Sequence, residues 1–251
     1  MSTETKVTVP DKASDVIADG SQALSGVLQH ALDHRFQLKW QASGLLYNGI
    51  HLPESEQCKF EKQCWTLYLG PNSTHLDLKQ RQRNEILSWP PSQSGQTYVY
   101  KWRYYLGSSC TSCFKFFHLM QLLSREQGGF VVALSFVNNK IRISSLLGMG
   151  EQHDGTARTQ QQQQQQMQDL PQVDVDEFRG KTTFHRCVVK YGPHGFVDYT
   201  ISSCDTNEPI LSYRVSNVYV PSQTSLKTGL YRAHVVDSAS ACVGDFDFFQ
   251  K

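Results

Sequence analysis

Short segments rich in β-branched and aromatic residues recur along this chain at intervals too short for helices, and that rhythm constrains the fold more than any other feature. The segments FQLKWQA, CWTLYLG, THLDLKQ, YVYKWRYYL, CFKFFHLMQLL, FVVALSFV, KIRISSLL, TFHRCVVKYG, GFVDYTISS, YRVSNVYV, SLKTGLYRAHV and CVGDFDFFQK are set apart by turn formers such as Val137-Asn138-Asn139-Lys140 and Tyr191-Gly192-Pro193-His194-Gly195. So many strands with so little helix predict an all-β sandwich or barrel. At 251 residues and 39% hydrophobic content the chain is long enough for one large β domain.

Two segments fall outside the rhythm. Residues 1–33 are polar and weakly patterned, which predicts a poorly ordered segment holding at most a short amphipathic helix, with the β domain running from 34 to 251. Residues 148 to about 177 carry a glutamine run and few apolar residues, which predicts a disordered insertion between strands, of a kind more common in eukaryotic proteins.

Charge and cysteine usage narrow the function class. A net charge of +1 gives no concentrated basic field for nucleic acid or a membrane surface. The longest apolar run, Phe130 to Val137, is too short to cross a bilayer. The N-terminus lacks the basic start and apolar core of a secretory signal, and seven cysteines are an odd set, so the expected location is cytoplasmic, or extracellular if the N-terminus is incomplete or export is unconventional. Cys110-Thr-Ser-Cys113 is a lone CxxC without a second half, so neither a metal site nor a cofactor is implied.

Chemistry concentrates in three strands. In Ser225-Leu226-Lys227-Thr228-Gly229-Leu230-Tyr231-Arg232, alternation puts Lys227, Gly229 and Tyr231 on one face, a cation and a phenol with a gap between them, suited to an anionic sugar. In Arg81-Gln82-Arg83-Asn84-Glu85-Ile86-Leu87, Arg83 and Glu85 share a face. In Phe116-Phe117-His118-Leu119-Met120-Gln121-Leu122-Leu123, an amide stands in an otherwise apolar strand. The strand around Trp102 adds a stripe of Tyr98, Tyr100, Trp102 and Tyr104, with Lys101 and Arg103 behind it. The stripe reads either as sandwich core or as a sugar platform, and the two cations as a possible groove wall.

In that order, the three motifs resemble the polysaccharide lyases with a concanavalin-like β-jelly-roll, the class of alginate, glucuronan and first-type heparin lyases. Those enzymes carry an R-x-E-L-R strand, a Q-I-H or F-H-x-x-Q strand and a Y-F-K-x-G-x-Y strand, and CVGDFDFFQK is similar to their last strand. The resemblance implies two antiparallel sheets and a concave groove for an acidic polysaccharide; the chain is expected to be a monomer. It implies Arg83 as a substrate-binding cation with Glu85 beside it, Lys227 as a groove cation, Gln121 at the uronate carboxylate and Tyr231 as acid/base. Three positions depart from the pattern: Leu87 replaces a second arginine, Leu226 an aromatic, and Leu123 the histidine two after Gln121.

Cleavage by β-elimination needs a carboxylate neutraliser, a base for the C5 proton and an acid for the leaving oxygen. His118 is the nearest replacement base, with His75 and His185 as candidates from other strands and His51, His194 and His234 less attractive. His118 lies three residues before Gln121, so a regular strand points the two to opposite faces, and only a bulge brings them together. A lyase, a catalytically silent carbohydrate-binding protein on the same fold, and a glycoside hydrolase remain as readings. The hydrolase lacks a second placed acid beside Glu85.

Overall fold

The stripe in Thr97–Leu106 settles its own ambiguity: Tyr98, Tyr100, Trp102 and Tyr104 are buried in the sandwich core, while Lys101 and Arg103 point away from it. The computed structural model describes residues 15–33, 35–73, 80–113, 115–147 and 170–251. Among them are sixteen strands and one short 3-10 turn, Val175–Glu177.

The strands are β1 (Val16–Asp19), β2 (Ser25–Asp33), β3 (Phe36–Ala42), β4 (Leu45–Asn48), β5 (Cys64–Leu69), β6 (Arg81–Trp89), β7 (Thr97–Leu106) and β8 (Phe117–Ser124). They continue with β9 (Gly129–Val137), β10 (Lys140–Ser145), β11 (Gln172–Asp174), β12 (Thr182–Lys190), β13 (Gly192–Ser203), β14 (Pro209–Val220), β15 (Thr224–Ala233) and β16 (Ala239–Gln250). They form two antiparallel eight-stranded sheets, in the orders β1-β4-β5-β16-β7-β12-β13-β14 and β11-β10-β9-β8-β15-β6-β3-β2. This is the predicted jelly-roll sandwich.

Side chains of both inner faces make one core. Phe36 of the second sheet packs edge-on against Tyr98 and Tyr100 of the first, with ring centroids 5.9 and 6.5 Å apart. Turn chemistry follows the sequence: Val137 pairs with Lys140, and Asn138 and Asn139 between them hold φ of 52° and 57°, the two left-handed residues that a tight hairpin wants.

Among the described residues of the 1–33 stretch, given at most a short amphipathic helix from sequence, there is no α-helix. Residues 16–19 and 25–33 are β1 and β2, which edge the first and second sheets, so this stretch crosses from one layer to the other. The expectation for residues 1–14 lies outside the described residues. So does that for 148–169, whereas 170–177, placed at the end of the insertion from sequence, include β11 paired to β10.

Candidate functional site

The three chemistry-bearing strands are neighbours, in the order β8-β15-β6, at the middle of the second sheet. Cross-strand register puts Tyr231 beside both Arg83 and His118, and Lys227 beside Gln121. On the outer face of these strands lies a cleft of about 490 Å³, whose lining includes Arg81, Arg83, His118, Gln121, Lys227 and Tyr231.

A bulge makes that convergence possible. Between Met120 and His118, β8 advances two residues while β15 advances three, from Thr228 to Tyr231; against β9, the same two residues of β8 face one step, from Leu134 to Ser135. Leu119 and Met120 both enter the core, alternation loses one step, and His118 joins Gln121 at the cleft. Two bonds hold the irregularity. The Thr228 hydroxyl donates to the Leu119 carbonyl at 3.3 Å, and the Tyr104 hydroxyl of the opposite sheet donates to the Gly229 carbonyl at 3.0 Å. Gly229 has φ +143°, and a Cβ there would stand 2.3 Å from the Asn84 carbonyl oxygen, so no side chain fits.

Glu85, placed from sequence beside Arg83 as a substrate-binding residue, lies beneath the cleft and not among its lining residues. Its carboxylate is 2% exposed and forms the floor of the site. It accepts from Gln121 Nε2 at 2.6 Å and from Lys227 Nζ at 3.3 Å, with Arg83 Nε 3.4 Å away. Lys227 Nζ and an Arg83 amino group also donate to Gln41 Oε1, at 2.5 and 3.2 Å. One buried carboxylate and one amide thus fix the three groups predicted to meet the sugar. Burial lowers the Lys227 ammonium from its usual range; Arg83 and Arg125 push the same way, and Glu85 opposes them.

Above this floor, Arg81 donates to the Tyr231 hydroxyl at 2.8 Å and the Arg83 guanidinium lies 4.5 Å over the Tyr231 ring. His118 packs among Phe116, Phe130 and Tyr231, and its Nδ1 meets Ser135 Oγ at 2.9 Å, which leaves Nε2 for the cleft. Burial lowers the His118 pKa to about 4, with Glu85 opposing and Arg142 reinforcing, so the ring is neutral at neutral pH.

The remaining predicted residues lie elsewhere. Lys101 and Arg103 belong to the first sheet, where they pair with Asp247, and with Glu61 and Asp245; they form no wall of the cleft, because the core-facing aromatic stripe turns them to the far side of the sandwich. His185 is fully buried between the sheets, bonded to Thr183 and Tyr199 and stacked on Trp102, and burial lowers its pKa to about 3. His51, His194 and His234 make local bonds to the Asn48 carbonyl, Asn217 and the Pro71 carbonyl. His75 lies outside the described residues. Sequence reading missed Arg81, Gln41 and Arg125. Arg81 was within its reach, since it lies two before Arg83 on the same face; the other two needed the strand order.

No protein-family model matches the sequence, and no curated protein matches it. Solved structures do match in shape. An endo-β-1,4-glucuronan lyase from the fungus Trichoderma reesei aligns over 92% of this chain and 92% of its own, with a TM-score of 0.55 at 10% identity. The fold is the jelly roll of the polysaccharide lyases. A family 7 alginate lyase covers 89% of this chain and 85% of its own, with a TM-score of 0.50 at 11% identity. Identity that low carries the jelly roll alone, and the chemistry of the site has to come from this chain's residues.

Proposed function

We propose that this protein is a polysaccharide lyase that cleaves a uronic-acid-containing polysaccharide by β-elimination in the cleft of the second sheet. The observation that carries the reading is the bulge, which brings His118, Gln121 and Tyr231 to one surface beside Arg81 and Arg83.

Arg83 and the Gln121 amide receive the uronate carboxylate, which makes the C5 proton more acidic. Neutral His118 takes that proton through Nε2. The electron pair forms the C4–C5 double bond, the C4–oxygen bond breaks, and Tyr231 gives its proton to the departing oxygen. Hydrolysis fits less well, because it wants two carboxylates across the sugar. Among the described residues no carboxylate lines the cleft, and Glu85 beneath it is held by three partners.

A second reading, a catalytically silent carbohydrate-binding protein, draws on Leu123, which lines the cleft where the resemblance wants a histidine, and on the bond that already engages the Gln121 amide. Incubation with glucuronan, alginate, pectate and heparin-like chains, read as ultraviolet absorbance of unsaturated ends, separates the two. Wild type is expected to act on one polymer and Tyr231→Phe to lose at least about a hundredfold, the scale of one general acid. Silence of the wild type on every polymer, with binding retained, sinks the lyase reading.

A further inference from the structure

The cleft continues past its reacting end. Leu87, Gln41 and Arg125 line both the main cleft and an adjoining hollow of about 260 Å³, which Lys39 and Trp89 complete. Lys39 of β3 pairs across β6 with Leu87, and Leu87 pairs with Lys227 of β15, so the hollow continues the cleft toward the β2 edge of the sheet.

Two cations share one indole there. Lys39 Nζ lies 3.7 Å and Arg125 Cζ 5.0 Å from the Trp89 ring centroid, and Arg125 also donates to Ser225 Oγ at 3.0 Å. Several lysines and arginines elsewhere on the surface are tied to acids, as in Lys59–Asp205, Lys101–Asp247, Arg103–Glu61 and Lys140–Asp174. Among the described residues, neither Lys39 nor Arg125 has a carboxylate partner. The difference is chemical: an aromatic face holds a long cationic side chain in place without neutralising it, whereas a carboxylate cancels its charge. Two oriented, uncancelled cations in a concavity continuous with the cleft form a receptor for an anion on the same ligand.

We propose that Lys39 and Arg125, carried on Trp89, form a second subsite that binds the carboxylate of a uronate further along the polysaccharide chain. The subsite rests on the reading of the cleft as a polyuronate site. Arg125 lines both cavities, and Lys39, level with Leu87, lies four residues from Arg83 along β6, about 13 Å at strand rise, so Lys39 is reached by a sugar beyond those at the reacting end. The subsite therefore selects chains that carry charge on sugars beyond the reacting one.

Calorimetric binding of glucuronan and alginate oligomers to the full chain tests this, with Lys39→Met, which keeps an apolar stem over the indole, and Trp89→Leu beside wild type. A hexasaccharide of one of these polymers is expected to bind each variant about tenfold more weakly, a change of about 1.4 kcal/mol. Its disaccharide, and a hexasaccharide with its carboxyls reduced to alcohols, are expected to bind all forms alike. Hexasaccharide affinity that neither variant changes overturns the subsite and leaves the cleft reading standing. An equal loss for the reduced hexasaccharide also overturns it, since packing and not charge was then removed. Charge-dependent loss in a protein that cleaves no polymer keeps the subsite and removes the lyase.

Discussion

His118 shows how burial decides what a residue can do. The ring sits among Phe116, Phe130 and Tyr231, and burial outweighs the attraction of Glu85, so its pKa falls to about 4 from an ordinary 6.5. A group that is harder to protonate when folded binds fewer protons than in the unfolded chain between those two values, so folding stability rises with pH across that window. Stability lost on acidification therefore begins near pH 6.5 and saturates near pH 4, and for one such histidine amounts to roughly 3 kcal/mol. His185, lowered to about 3 by its burial between the sheets, adds a second loss that continues to lower pH. Urea unfolding at pH 7, 5.5 and 4 is expected to show a steep fall for wild type and a shallower one for His118→Gln; parallel curves would mean that His118 is not held neutral by the fold. Neutrality is also what the proposed chemistry requires, since only an unprotonated imidazole accepts the C5 proton. The motif spelling pointed to His118, but neither its burial nor its bond to Ser135 was legible, because both depend on how β8 is paired with β9 and β15.

At the scale of the strand, the cleft face of β15 was legible at Lys227 and Tyr231, and that of β8 was not. In β15 Lys227 and Tyr231 share the cleft face, as their spacing predicted, whereas the Cβ direction of Gly229 between them meets the Asn84 carbonyl and the core side chain of Leu67. In β8 the spacing put His118 opposite Gln121, and the structure reverses this through a bulge whose determinants lie on other strands: the Thr228 hydroxyl, the Tyr104 hydroxyl and the absent side chain of Gly229. Nothing within FHLMQLL announces it. If these contacts set the register, Tyr104→Phe strands the buried Gly229 carbonyl and costs about 1–3 kcal/mol. Gly229→Ala costs at least as much, through a strained φ and the collision with the Asn84 carbonyl. Both variants are expected to lose kcat/KM on a polyuronate beyond what their loss of stability explains, measured well below their unfolding midpoints. Full activity in either variant would show that the bulge stands without that contact.

Across the whole molecule, the sandwich was legible because most of its strands carry their own pattern, whereas its N-terminal edges were not. In β1 only Ala18 is buried, and Val27 of β2 is 44% exposed; edge strands with so little buried surface leave no alternation to read. Charge was hidden in a different way. A net charge of +1 argues against a strong field anywhere, yet Arg81, Arg83, Arg125, Lys227 and Lys39 gather along one cleft over a single buried carboxylate, while Lys101 and Arg103, equally basic in sequence, are paired with acids on the opposite sheet. A cleft of one sign attracts a polyanion through a field that salt screens, with a Debye length of about 10 Å at 0.1 M and about 3 Å at 1 M. Affinity for a polyuronate is therefore expected to fall by about tenfold or more between those two salt concentrations, while a neutral oligomer of the same length barely responds. Arg83→Ala is expected to reduce the slope of that fall, and Arg103→Ala to leave it unchanged, in titrations at matched pH. The reverse result, a slope that depends on Arg103 and not on Arg83, would put the polysaccharide on the outer face of the first sheet and empty the cleft of its role.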